Sequence, residues 1–309
     1  MRHVLITGGL GFIGSHLVES VLADGDCVTV LDSAPFPDGW AERYGDNALG
    51  IHADIRDEHA LDHLDPVDVI VHLAALAGVR SSIDQPFTYE DVNVKGTLTM
   101  LEFAKRARVE QFVFASSSSV YGNPDIVQPS SEADATVPIS PYGLTKLTGE
   151  HFCRIYAQVY GLRSIALRFF TVYGPRQRGD LAIQKFARRM LSGQPVPVYG
   201  DGSTRHDYTF IDDTVAGIKA AMDYRSSMFE AVNLGAGRTV TLGDMVEELA
   251  RALGVEPTIG TLPEQPGDVN FTWADGSKAR MLLGFEPRVT FAHGIARFAE
   301  WLRAEVAAA

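Results

Sequence analysis

Cysteine is nearly absent: the 309 residues hold two, Cys27 and Cys153, at no spacing that suits a metal site or a redox pair. A disulfide framework is thereby excluded, and the expected setting is a reducing one, the cytoplasm, with no bound metal. Long apolar runs are missing too. The longest, around residues 67–79, contains Asp68 and His72 and is too short to cross a bilayer. The first residues, MRHVLITGG, read as a strand and a turn rather than a leader, so no membrane partner is expected. Positive charge is scarce, with 27 Lys and Arg against 39 Asp and Glu for a net charge of -12. A dedicated nucleic-acid binder would show a basic face, so nucleic acid is not an expected partner. A small anionic ligand stays within reach, because a few placed arginines can hold one locally.

What is present is an alternation. Residues 3–7, 28–31, 69–73, 112–115 and 164–169 are short runs rich in Val, Ile and Phe. Between several of them lie longer helical patterns, at 12–23, 91–107 and 142–160. Buried parallel strands joined by crossover helices produce this rhythm, so the expected class is α/β with a doubly wound parallel sheet. Beyond about Phe170 the rhythm changes, and Gly and Pro interrupt the chain at Gly174-Pro175, Gly193, Pro195, Pro197 and Gly200–Gly202. A strand at 231–234 is expected to return to the sheet, followed by helices at 242–253 and 291–306. Residues 1–170 are thus expected to form the sheet domain, and 171–309 mainly a smaller, mixed C-terminal region that binds substrate.

The first strand runs into Gly8-Gly9-Leu10-Gly11-Phe12-Ile13-Gly14 and then a helix. Gly8 would permit the tight turn, Gly11 the close approach of a pyrophosphate, and Gly14 close packing of helix on strand. Asp32 closes the second strand, where a carboxylate accepts hydrogen bonds from ribose hydroxyls and repels a 2′-phosphate. That pattern favours NAD over NADP. Asp54 and Ile55 follow the third strand; Asp54 reads equally as an adenine contact or as a turn acid before Arg56. His72-Leu73-Ala74-Ala75 ends the fourth strand with small residues that allow close backbone approach.

Tyr142 and Lys146 stand four residues apart at the start of a helix, on one face. An ammonium there would stabilise a phenolate and lower a phenol pKa of about 10. Upstream, the fifth strand ends in Ser116-Ser117-Ser118-Ser119 before Val120-Tyr121-Gly122, placing hydroxyls at the carboxyl end of a strand, where such sheets bind ligands.

The glycine loop, Asp32, the serine run and the Tyr142/Lys146 pair together resemble the extended short-chain dehydrogenase/reductase family, the NAD-dependent epimerases and dehydratases. Arg205-His206-Asp207-Tyr208-Thr209-Phe210-Ile211-Asp212-Asp213 and Asn233-Leu234-Gly235 extend the resemblance to its sugar-nucleotide members along nearly the whole chain. The resemblance implies a Rossmann-type fold, NAD kept through the cycle, a UDP-sugar substrate and a homodimer built by helix packing. It implies Tyr142, Lys146 and Ser117 as the catalytic set, and adds Phe12, Ile13, Ser33, Leu73, Ala74, Ala75, Asn93 and Phe169 to the cofactor contacts.

Family members first oxidise the sugar at carbon 4 and then diverge. Dehydratases carry Asp-Glu after the catalytic hydroxyl, and decarboxylases commonly a Glu before Val-Tyr-Gly; here those positions are Ser118 and Ser119. An epimerase needs no further acid or base. The stretch from Leu167 to Arg178 resembles the UDP-glucuronate 4-epimerases, with Thr171 where galactose-type enzymes tend to have Asn. Gln265-Pro266-Gly267-Asp268 fits the same group. Substrate contacts are therefore expected from Arg80, Ser117, Ser118, Thr171, Arg178, Tyr199, Arg205 and Asp268, although Arg80 and Arg178 read equally as solvated charge. A UDP-glucose/UDP-galactose 4-epimerase, a net oxidoreductase of the same fold and a non-catalytic NAD sensor are the rivals.

Overall fold

The computed structural model describes residues 1–64, 66–123, 127–263, 269 and 271–308, the side chains of Tyr199 and Ala308 excepted. The chain opens with β1 (His3–Thr7), α1 (Phe12–Ala23) and β2 (Cys27–Asp32), then α2 (Trp40–Tyr44), β3 (Ala48–His52) and β4 (Val69–His72). Short helices α3 (Val79–Asp84) and α4 (Pro86–Tyr89) precede a wide helical turn at Glu90–Lys95, which tightens into α5 (Gly96–Ala107). The helix expected over 91–107 is thus two kinds of helix. Next come β5 (Gln111–Ser117), α6 (Pro141–Tyr160) and β6 (Ser164–Phe169).

Six of these strands join β10 (Phe229–Leu234), reached later in the chain, in a seven-stranded sheet of order β10-β6-β5-β4-β1-β2-β3, and every pairing in it is parallel. Such strands are covered on both faces, which is why they read as continuous apolar runs: Val4, Leu5 and Ile6 are all fully buried. The expected strand at 231–234 is longer by two residues and lies beside β6 at the sheet edge.

The rest of the chain supplies β7 (Thr171–Tyr173), α7 (Ala182–Leu191), β8 (Val196–Tyr199), β9 (Arg205–Phe210) and α8 (Ile211–Met222) before β10. After it follow β11 (Thr239–Thr241), α9 (Leu242–Leu253), β12 (Ile259–Leu262), α10 (Ser277–Leu283) and α11 (Phe291–Ala308). β11, β9 and β7 form a mixed sheet, and β12 pairs with β8. One apolar core runs from Val4 and Leu17 under the large sheet through Tyr173 and Phe210 to Phe298. Asp207 ties the mixed sheet to neighbouring loops: its buried carboxylate accepts backbone N–H bonds from Ala236, Gly237 and Ala274. Among the described residues no helix is long and apolar enough to cross a membrane.

Candidate active site

In the large sheet, β1 and β4 are neighbours although β2 and β3 come between them in sequence, so the chain leaves them in opposite directions and opens a crevice at their carboxyl ends. A cleft of about 660 Å³ lies there. Gly8, the residues 11–14, Asp32, Ser33, Asp54 and Ile55 line one end; Ser117, Ser118, Tyr142, Lys146, Thr171 and Arg178 line the other, with Leu73, Ala74, Ala75 and Phe169 also in its walls.

The first end is a turn that only glycine can make. Gly8 has φ +72°, and its N–H donates to Leu31 O at 2.8 Å. A β-carbon on Gly14 would sit 2.2 Å from Gly8 O, so α1 packs on the turn as tightly as backbones allow. No side chain caps α1 at Gly11, which leaves its first amides and the positive end of its dipole for an anion in the cleft. Asp32 Oδ2 accepts from Leu10 N–H and Oδ1 from Ala34 N–H, both at 3.0 Å, and each oxygen keeps a lone pair for a hydroxyl. The lining cations, Lys146 and Arg178, belong to the other end, so no cation of the lining complements a 2′-phosphate beside Asp32. These residues fit a dinucleotide of the NAD type. Asp54 lines the wall but spends its carboxylate on Arg56, which donates from its amide, Nε and Nη2 at 2.6–2.9 Å and also pairs with Asp91.

The other end is built on the start of α6. Ser140 Oγ accepts from Gly143 N–H at 3.1 Å and Pro141 follows it, fixing where the helix begins. One turn on, Lys146 is 5% exposed and donates to Ala115 O at 2.7 Å; its nitrogen lies 5.9 Å from the Tyr142 ring centre. Burial lowers the ammonium to about 8. Burial also pushes the Tyr142 phenol above its ordinary value, while a hydrogen bond with Ser117 and the charge of Arg178 offset part of that rise. Ser117 Oγ also accepts from Ser119 N–H at 3.1 Å.

Ser116 faces the opposite way and opens a network that the sequence reading missed. Its hydroxyl donates to Glu150, which Arg168 holds bidentately at 2.9 and 2.7 Å. Arg168 also donates to Tyr121 Oη at 2.9 Å, and Tyr121 donates to Asn233 Oδ1 at 2.6 Å. The available signal was spacing: Glu150 follows Lys146 by four residues on the inner face of α6, where a carboxylate needs a partner.

Three expected contacts lie elsewhere, and two fall outside what the structure describes. Asn93 is buried behind the wall, where Oδ1 accepts from Leu76 N–H at 2.8 Å and Nδ2 donates to Leu76 O and Thr145 Oγ1; it braces the cleft without lining it. Arg80 on α3 and Arg205 at the start of β9 are exposed and are not among the lining residues. Asp268 lies outside the described residues, as does the side chain of Tyr199 on β8.

Residues 4–235 match the model of the NAD dependent epimerase/dehydratase family. A probable UDP-glucuronate 4-epimerase of Rhizobium meliloti is 37% identical over 331 residues, covering 97% of this chain and 96% of that protein. The UDP-glucuronic acid 4-epimerase of Bacillus cereus, solved with UDP-glucuronic acid and NAD, superposes with a TM-score of 0.90 at 33% identity, covering 98% of this chain and 99% of the other. The UDP-glucose 4-epimerase of Thermotoga maritima, solved with UDP-glucose, gives 0.92 at 33% identity with the same coverage.

Proposed function

The chain belongs to the NAD dependent epimerase/dehydratase family, and we propose that within it the protein is the UDP-sugar 4-epimerase that interconverts UDP-glucuronate and UDP-galacturonate. NAD-dependent UDP-sugar 4-epimerisation is the broader class; the uronate is the finer assignment. The observation that carries it is the make-up of the cleft beside Tyr142. Three hydroxyls (Ser117, Ser118 and Thr171) and the Arg178 guanidinium line that end. The acids among the lining residues, Asp32 at the end of β2 and Asp54 just after β3, are three and four strands away from Ser117 on β5. At about 4.8 Å per strand that is at least roughly 14 Å. A sugar carboxylate would meet donors there and no competing anion from the lining. Arg178 is paired with Asp180 at 2.8 Å on the exposed side, and this partner leaves its charge acting on Tyr142.

Tyr142 takes the proton of the sugar's 4-hydroxyl, with Ser117 sharing the hydrogen bond. NAD, when bound, accepts and returns the hydride at carbon 4 and brings a cationic ring that favours the phenolate. The glycine turn, the uncapped start of α1 and Asp32 hold the dinucleotide, and the Lys146 ammonium adds positive charge beneath the phenol. The 4-keto sugar turns over inside the cleft, and Tyr142 then gives the proton back as general acid. An oxidised uronate is a β-keto acid prone to lose carbon dioxide. Donors that hold its carboxylate preserve it, and the absence of a lining acid at Ser118 and Ser119 removes a group that would assist that loss.

Separate incubation with UDP-glucuronate, UDP-glucose and UDP-N-acetylglucosamine, with products resolved by NMR, tests the assignment. The expected product is UDP-galacturonate. Faster conversion of UDP-glucose than of UDP-glucuronate would replace the uronate reading with the galactose-type one.

A further inference from the structure

The turn at residues 174–178 follows β7 and carries Arg178 to the cleft, yet its anchor is α1, the helix that starts at the glycine turn. Arg176 has φ +64°, a left-handed backbone that a residue with a β-carbon adopts only when its surroundings hold it. What holds it is a grip by two residues of α1, Glu19 and His16. Its two terminal nitrogens donate to the two oxygens of Glu19 at 2.8 Å each, and one of them also reaches His16 Nδ1 at 2.8 Å. His16 Nε2 lies 2.9 Å from Pro175 O. Arg176 Nε also donates to His16 Nε2 at 3.2 Å, so both ring nitrogens of His16 face the turn. Burial first, and the neighbouring guanidinium after it, lower the pKa of His16 below its ordinary value. Within the turn, Gly174 N–H donates to the side chain of Gln177, which is buried. The two arginines thus part company. One is committed to α1, and the other, paired with Asp180 at the surface, lines the cleft.

We infer that Arg176 is a positioning residue for Arg178, registering the turn that presents Arg178 to the substrate's carboxylate on the helix that frames the cofactor end. This rests on the uronate reading above, and the contribution of Arg176 runs through Arg178 rather than through any contact with the sugar.

The test compares Arg176→Gly, Glu19→Gln, Arg178→Ala and the Arg176→Gly/Arg178→Ala double variant. Each is measured for steady-state turnover of UDP-glucuronate and UDP-glucose and for thermal melting. Glycine suits the left-handed backbone, so Arg176→Gly removes the grip without straining the turn, and Glu19→Gln removes the partner without touching the turn at all. The expected result is a loss of about 10–100-fold in kcat/KM for UDP-glucuronate, the range for a charged hydrogen bond. Turnover of UDP-glucose should fall much less, by the share that the charge of Arg178 contributes at Tyr142, and the melting temperature should hold. A purely structural role would lower both activities by the same factor. The double variant should be no worse than Arg178→Ala alone, because the two residues act on one contact. Unchanged selectivity in both Arg176→Gly and Glu19→Gln, or losses that multiply in the double variant, would overturn the inference while leaving the uronate reading intact. An Arg178→Ala variant that loses both sugars equally would overturn the uronate reading, and this inference with it.

Discussion

Tyr142 meets two opposing demands, since burial favours the phenol and general-base chemistry needs the phenolate. Ser117 and Arg178 move it toward the phenolate in this structure. Tyr142→Phe keeps the ring and its edge contact with Tyr89 but removes the proton carrier. Its kcat should fall by about 10²–10⁴-fold with UDP-sugar binding retained, as calorimetry and stopped assays would read. Thr171→Ala removes one proposed donor to the substrate's carboxylate. It should cost about 1.5–3 kcal/mol of transition-state stabilisation for UDP-glucuronate and much less for UDP-glucose, measured as kcat/KM for each. Lys146 adds a pH signature. Its folded-state pKa is about 8 against 10.5 for an ordinary lysine. Between those values the unfolded chain binds the proton more than the folded one, so the folded state gains stability as pH rises from about 8 to 10.5. Below pH 8 both forms are charged and the cost of burying the ammonium is fully present. Denaturant titrations across that range should show the gain in the native chain and not in Lys146→Met.

Among the elements, β5, α6, β6 and β10 are held together by more than apolar packing. The Glu150–Arg168 pair sits between them with side chains 5% and 6% exposed, and Ser116, Tyr121 and Asn233 complete its hydrogen bonds. Such a pair adds little net stability over apolar side chains of the same size, but breaking it leaves a buried charge alone. Arg168→Met should therefore cost about 3–5 kcal/mol in denaturant unfolding. The Glu150→Met/Arg168→Met double variant should recover most of that, since no isolated charge remains. If both variants lose the same amount, the pair is worth more than its burial.

For the whole molecule, α6 carries the strongest signal of assembly. Leu144, Ile155 and Val159 are 55%, 46% and 65% exposed. They lie eleven and four residues apart, which returns each to one face of a helix. Apolar side chains in a row on the outer face of a long helix mark a contact surface more than scattered exposure does. The homodimer by helix packing expected from the family resemblance would bury that stripe against its own copy. Ile155→Glu/Val159→Glu should shift the protein from dimer to monomer in light scattering; a native chain that is monomeric at micromolar concentration would refute the stripe's role.

The sequence by itself determined what depends on neighbours along the chain. The strand-turn-helix at Gly8–Gly14, the acid closing β2, and Tyr142 and Lys146 on one face of α6 are each local geometry, so period and spacing were enough to recognise them, and the order of the parallel sheet brings them to one cleft. The alternation of buried runs and helices determined the doubly wound sheet for the same reason. Tertiary structure alone decided which polar group faces the cleft and which is consumed behind it. Ser116 and Ser117 point to opposite sides of β5, and only Glu150 and Arg168, arriving from α6 and β6, determine which side is the interior. Asn93 went to Leu76, and Arg176 to Glu19 on a helix 157 residues earlier in the chain, because a buried donor or acceptor takes the partner that the fold brings within about 3 Å. Sequence spacing does not encode that distance; packing does.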